Sequence, residues 1–122
     1  MGYRSDVSVI CKEKVFEELK NAWTSVDLKP DKILNNGDEY IVEWYSLKWY
    51  RGYTDVEAIE KVLENCSQDD YCTQEEYAYK QIIVGEDNAT EEYANEIGYD
   101  LYDCDFYTSV VVEHPSGFVE IA

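Results

Sequence analysis

Val7, Val9 and Cys11 fall on one side of a two-residue alternation, which predicts a first strand over Asp6 to Cys11 with one buried face. Val15, Phe16, Leu19, Ala22 and Trp23 then recur at helical spacing, with Lys and Glu between them, and predict an amphipathic helix that ends before Pro30. Asn35-Asn36-Gly37 is a turn signal, because Asn and Gly tolerate positive φ. It leads from a short strand into a long one, Glu39 to Tyr50. In that long strand Ile41, Tyr45, Leu47 and Trp49 share one face and Tyr40, Val42, Trp44 and Tyr50 the other, so both faces carry large apolar bodies, as in a central strand.

Thr54 and Glu57 have the spacing of a capping box, and Val56, Ile59, Val62, Leu63 and Cys66 form a second helical stripe behind them. Tyr77 to Val84 reads as a strand stopped by Gly85-Glu86-Asp87-Asn88. Thr90 to Ile97 reads as one or two acidic helical turns or as a loop. Leu101 to His114 reads as a last long strand, with Cys104, Phe106, Val110 and Val112 on one face and Asp103, Asp105 and Tyr107 on the other. Pro115-Ser116-Gly117 turns the chain into a short tail, Phe118 to Ile121. The order strand, helix, short strand, long strand, helix, strand predicts one α+β domain over 1–122. Its expected form is a ferredoxin-like βαββαβ antiparallel sheet, with an extra C-terminal strand and two helices on one face.

Length agrees with one domain: 122 residues, 45% of them hydrophobic, suffice for a single core and not for two. Charge is the more distinctive property. With 27 Asp and Glu against 10 Lys and Arg the formal net charge is -17. Residues 55–122 hold 18 of the acids and only Lys61 and Lys80 as bases. Direct binding to DNA, RNA or anionic membrane is thereby disfavoured, since those polyanions recruit Lys and Arg. No run reaches the roughly 20 apolar residues of a membrane span, and Met1 to Asp6 lacks the apolar core of a signal peptide, so a cytoplasmic location is expected. On that expectation Cys11, Cys66, Cys72 and Cys104 are reduced, and the sequons at Asn65 and Asn88 carry no glycan.

Catalytic signatures are few. His114 is the only histidine, so a triad or a His-rich metal site within one chain would have to be built around it alone. The cysteine spacings do not suit a zinc site, no Gly-rich phosphate loop is present, and EF-hand spacing is absent around Asp100, Asp103 and Asp105. No metal or cofactor is implied and no catalytic residue stands out. Carboxylate pairs are unavoidable with this many acids and specify nothing about hydrolysis.

One constellation remains, carboxylates interleaved with tyrosines. It comprises Asp69, Asp70, Tyr71, Glu75, Glu76 and Tyr77, then Glu86, Asp87, Glu91, Glu92, Tyr93, Glu96, Tyr99, Asp100, Tyr102, Asp103, Asp105 and Tyr107. Crowded carboxylates without bases imitate the charge density of a duplex, about one negative charge per 1.7 Å of axis. Tyrosine adds rigid contact area with a hydroxyl at its tip.

Met1-Gly2-Tyr3-Arg4-Ser5-Asp6-Val7, Lys48-Trp49-Tyr50 followed by Tyr53 and Val56, and Val84-Gly85-Glu86-Asp87 resemble small uncharacterised bacteriophage proteins. The resemblance implies a phage context and no activity. By analogy of class, small acidic phage proteins inhibit host restriction and CRISPR nucleases by occupying nucleic-acid channels. The expectation is therefore a non-enzymatic nucleic-acid mimic whose partner is a basic host nuclease or defence effector. Two other readings stand beside it. One is an assembly module that associates, as a dimer for example, through Tyr40 to Tyr50, with acidity serving solubility. The other is a small carboxylate- or metal-dependent hydrolase. Arg4 and Asp6 are placed to pair across the start of the sheet.

Overall fold

A computed structural model describes residues 4–50, 52–87, 89–101 and 117–121. The elements run β1 (Ser5–Lys12), α1 (Glu13–Val26), β2 (Lys32–Asn35), β3 (Glu39–Leu47), α2 (Thr54–Cys66), a 3-10 turn (Glu75–Tyr77), β4 (Tyr79–Gly85), β5 (Thr90–Ala94), α3 (Glu96–Leu101) and β6 (Val119–Glu120). The six strands form one antiparallel sheet in the order β5-β4-β1-β3-β2-β6. The result is a mixed α+β arrangement.

Alternation along β1 divides the core. Val7, Val9 and Cys11 face α1 and α2, in register with Trp44, Val42 and Tyr40 of β3 and with Ile83, Gln81 and Tyr79 of β4. Val15, Leu19 and Trp23 of α1 and Val56, Ile59, Leu63 and Cys66 of α2 close over that face, as their stripes predict. Aromatic rings tie the layers: Phe16 stacks on Tyr40 at 3.9 Å between centroids, and Trp23 meets Trp44 edge-on at 6.1 Å. Trp44 also donates its indole N–H to the Leu28 carbonyl at 2.8 Å, so the deepest ring leaves no polar atom unpaired. On the opposite face Ile10, Leu34, Ile41, Ala78 and Ile82 form a second cluster with Val84, Ile97 and Phe118.

The strand Glu39 to Tyr50 departs from its expected pattern. Val7 pairs with Trp44 but Ser5 pairs with Leu47, so β3 spends an extra residue in a bulge where Ser46 takes φ 55°. That residue reverses the side-chain phase, and Leu47 and Trp49 pack with Trp44 on the helix face rather than with Ile41. Arg4 and Asp6 do not pair with each other: Arg4 donates Nη1 to the Ser46 carbonyl at 2.7 Å, and Asp6 accepts the Ser46 N–H at 2.9 Å. Asp31 accepts the Tyr45 N–H at 2.7 Å. Three distant side chains thus satisfy the backbone groups that the bulge takes out of the ladder.

Four other expectations change. Tyr53 caps α2 without a side-chain bond, and Thr54 is the first helical residue, so the Thr54–Glu57 box does not form. Tyr77 lies in the 3-10 turn and the strand begins at Tyr79. Thr90 to Ala94 is neither helix nor loop but a strand paired with β4. Leu101 ends α3 instead of opening a strand. The remainder of the expected last strand and His114 lie outside the described residues, as does Cys104; Cys11, Cys66 and Cys72 are free thiols. Among the described residues no helix is long and apolar enough to cross a membrane.

Candidate functional site: the acidic end of the sheet

β1 ends at Lys12, where it meets the β2–β3 turn on one side and the start of β4 on the other. α1 begins there, α2 ends there, the 3-10 turn follows at the start of β4, and α3 docks there through the Ile97 N–H bond to the carbonyl of Cys72, in the loop after α2, at 2.8 Å. Connectivity therefore delivers acids from both halves of the chain to one end. Glu13, Glu17 and Glu18 come from α1, Asp38 and Glu39 from the turn, Asp69 and Asp70 from the loop after α2, Glu75 and Glu76 from the 3-10 turn, and Glu96 from α3. The turn itself is built by Asn36, whose Oδ1 accepts the N–H groups of Asp38 and Glu39 at 3.0 and 2.7 Å.

Lys12 sits at the middle of this rim, with Nζ at 2.6 Å from Asp38, 3.6 Å from Glu75 and 3.9 Å from Glu39. Burial pulls its pKa down, but the Asp38 hydrogen bond and the charges of Glu39, Asp38 and Glu75 outweigh burial and hold it above the usual lysine value. Other groups register the same anionic field. Tyr40 is pushed up by burial and then by Glu13 and Glu17, and Cys72 by burial and then by Glu96 and Asp69. An open groove of about 530 Å³ runs among Lys12, Glu13, Glu17, Asp38, Glu75 and Glu76. A second, of about 470 Å³, lies between α1, the end of α2 and the 3-10 turn, with Glu18, Asp70, Tyr71 and Tyr77 on its walls. Lys14 borders both.

Not every expected site residue joins this end. Glu86 and Asp87 occupy the β4–β5 turn, at the far end of a strand that spans roughly 20 Å. Along β5, Glu91 and Tyr93 lie opposite Ile83 and Gln81 on the helix face, and the Tyr93 hydroxyl donates to Glu91 at 2.8 Å. Glu92 lies opposite Ile82 and points to the other face. Tyr99 and Asp100 are exposed on α3, Tyr99 at 74%. Asp103, Asp105 and Tyr107, with Tyr102, lie outside the described residues. Of the candidates, Asp69, Asp70, Glu75, Glu76 and Glu96 are brought together. Glu13, Glu17, Glu18, Asp38 and Glu39 were missed because their half of the chain is nearly neutral; their acidity emerges only when the fold draws them to Lys12.

Polar groups inside the sheet were also missed. Glu43 is 1% exposed on the face opposite the long helices, where it accepts from Ser8 Oγ at 3.2 Å and from the Tyr45 hydroxyl. Burial first, and then the Glu43 hydrogen bond, push the Tyr45 phenol well above its ordinary value. Glu60 of α2 accepts from Gln81 Nε2 at 2.7 Å and from the Trp49 indole at 3.2 Å, which fixes α2 to the sheet. An acid within a β-branched strand, and a Gln on the same strand face as Tyr79 and Ile83, were the available signals. Among the described residues no group of His, Cys, Asp or Glu is arranged to hold a metal ion.

The chain matches no protein-family model, no curated protein and no solved structure.

Proposed function

We propose that this protein is a non-enzymatic inhibitor of bacteriophage type that works inside the host cell. Its acidic end occupies a basic nucleic-acid-binding surface of a host nuclease or defence effector. The observation that carries this reading is the gathering of Glu13, Glu17, Asp38, Glu75 and Glu76 from three separated segments around Lys12, itself held by Asp38, Glu39 and Glu75. Blocking is steric and electrostatic, with association fast at low salt and slower as screening shortens to about 8 Å at physiological ionic strength. The order β4-β1-β3-β2, antiparallel throughout, supports a ferredoxin-like βαββαβ core with β5 and β6 added at its edges. The rival reading of Tyr40 to Tyr50 as an association surface has less support, since both edges of β3 are paired, to β1 and β2.

Capture from host lysate on the immobilised protein tests the proposal. A nuclease or other DNA- or RNA-binding protein should be retained at low salt, be released by added duplex DNA, and be lost with a Glu13→Gln, Glu17→Gln, Glu75→Gln, Glu76→Gln variant. Retention that neither DNA nor these substitutions disturb would overturn it.

A further inference from the structure

Resting on that reading, we infer that the groove between α1, the end of α2 and the 3-10 turn receives an arginine side chain of the basic partner, with the guanidinium against Tyr71 and Tyr77 and its charge met by Glu18 and Asp70. The rings of Tyr71 and Tyr77 lie 4.7 Å apart, tilted by 54°, and form one aromatic wall. Tyr77 is anchored against the core and Tyr71 is exposed, so the wall is fixed at one edge and accessible at the other. A cation already uses it: Lys14 Nζ stands 5.7 Å from the Tyr77 centroid. Among the described residues this ammonium has no carboxylate within salt-bridge distance, so the ring is the contact that holds it. An exposed contact of this kind is weak and readily exchanged. With about 470 Å³ the groove has room for more than the Lys14 ammonium. Arginine suits it better than lysine, since a planar guanidinium stacks on a ring and forks onto a carboxylate at the same time.

The test is titration of the full chain with a blocked tri-arginine peptide, with tri-citrulline as its neutral isostere and tri-lysine as the point-charge control. Tri-arginine should bind tighter than tri-lysine, tri-citrulline should not bind, and amide resonances of Gln68 to Tyr71 and Tyr77 should move. Tyr71→Ala leaves the charge unchanged and should weaken tri-arginine about three- to tenfold. Lys14→Met should strengthen it more than Lys20→Met, which makes the same change in charge one helical turn and a half further along α1. Equal binding by Tyr71→Ala and wild type, equal effects of the two lysine substitutions, or equal affinity for tri-lysine would each overturn the inference while leaving the acidic-end proposal standing. That proposal falls by the separate loss of DNA-displaceable capture.

Discussion

Asn95 is the side chain on which the acidic end is assembled, and replacing it with alanine should cost more than any surface substitution. It is 3% exposed and fully engaged. Its Nδ2 donates to the carbonyls of Cys66 at 3.0 Å and Tyr77 at 2.7 Å, while Oδ1 accepts the N–H groups of Gly98 at 2.9 Å and Tyr79 at 3.3 Å. One residue thus joins the end of α2, the 3-10 turn, β4 and the first turn of α3. Asn95→Ala strands two carbonyls and two amides in a buried site. At about 1 kcal/mol for each bond, discounted for the longer Tyr79 contact, the loss is about 3 kcal/mol. That is a large share of the roughly 5–15 kcal/mol typical of a folded domain. Urea unfolding followed by tryptophan fluorescence measures it, since Trp23, Trp44 and Trp49 all lie in the core between the sheet and the two long helices. The midpoint should fall with the slope unchanged. Asn21→Ala, on the exposed side of α1, is the control and should stay within about 0.5 kcal/mol. A loss below about 1 kcal/mol for Asn95→Ala would refute the assignment of this residue as the joint.

Four further outcomes follow from particular contacts. Gly98→Ala should destabilise by about 3 kcal/mol or more in the same assay, because its Cβ would stand 1.9 Å from the Tyr79 carbonyl oxygen, a backbone atom with nowhere to go. Ser46→Gly should leave stability unchanged or raise it by up to about 1 kcal/mol, whereas Ser46→Val should lower it by about 1–2 kcal/mol, since a β-branched side chain opposes the φ of 55°. Lys12 has a folded pKa above its ordinary value, so its stabilising contribution is complete below that ordinary value and is lost as pH rises through the folded one. Lys12→Met should accordingly flatten the decline in stability above about pH 10.5 and leave the slope across the neutral range as it is in the wild type. In the native protein a thiol reagent at pH 8 should modify Cys72 long before Cys11 and Cys66. Burial raises the Cys66 thiol to about 11 and pushes Cys11 higher still, and thiolate is the reactive form; mass spectrometry of the labelled peptides reads the order.

Both long helices and the interior strands could be read directly from periodicity, because Val15, Leu19 and Trp23, or Val7, Val9 and Cys11, lie on one face through local geometry alone. β5 could not be. Thr90-Glu91-Glu92-Tyr93-Ala94 has no buried alternation, and what makes it a strand is hydrogen bonding to β4 at the border of the sheet. The phase reversal after Tyr45 was equally hidden. Its cause is a set of bonds from Arg4, Asp6 and Asp31, residues 14 to 42 positions away in the chain.

The candidate site divides in the same way. Excess negative charge, the lack of a phosphate loop or histidine cluster, and tyrosines set among acids are properties of composition and order, and the chain alone determines them. Which carboxylates stand together is decided by tertiary structure, for Glu13, Asp38, Glu75 and Glu96 are strangers in sequence that become neighbours because β1 ends where α1 begins, α2 stops and α3 docks. Local patterns set the elements through short-range sterics and burial. The electrostatic surface depends on long-range strand pairing, and no stretch of sequence carries that by itself.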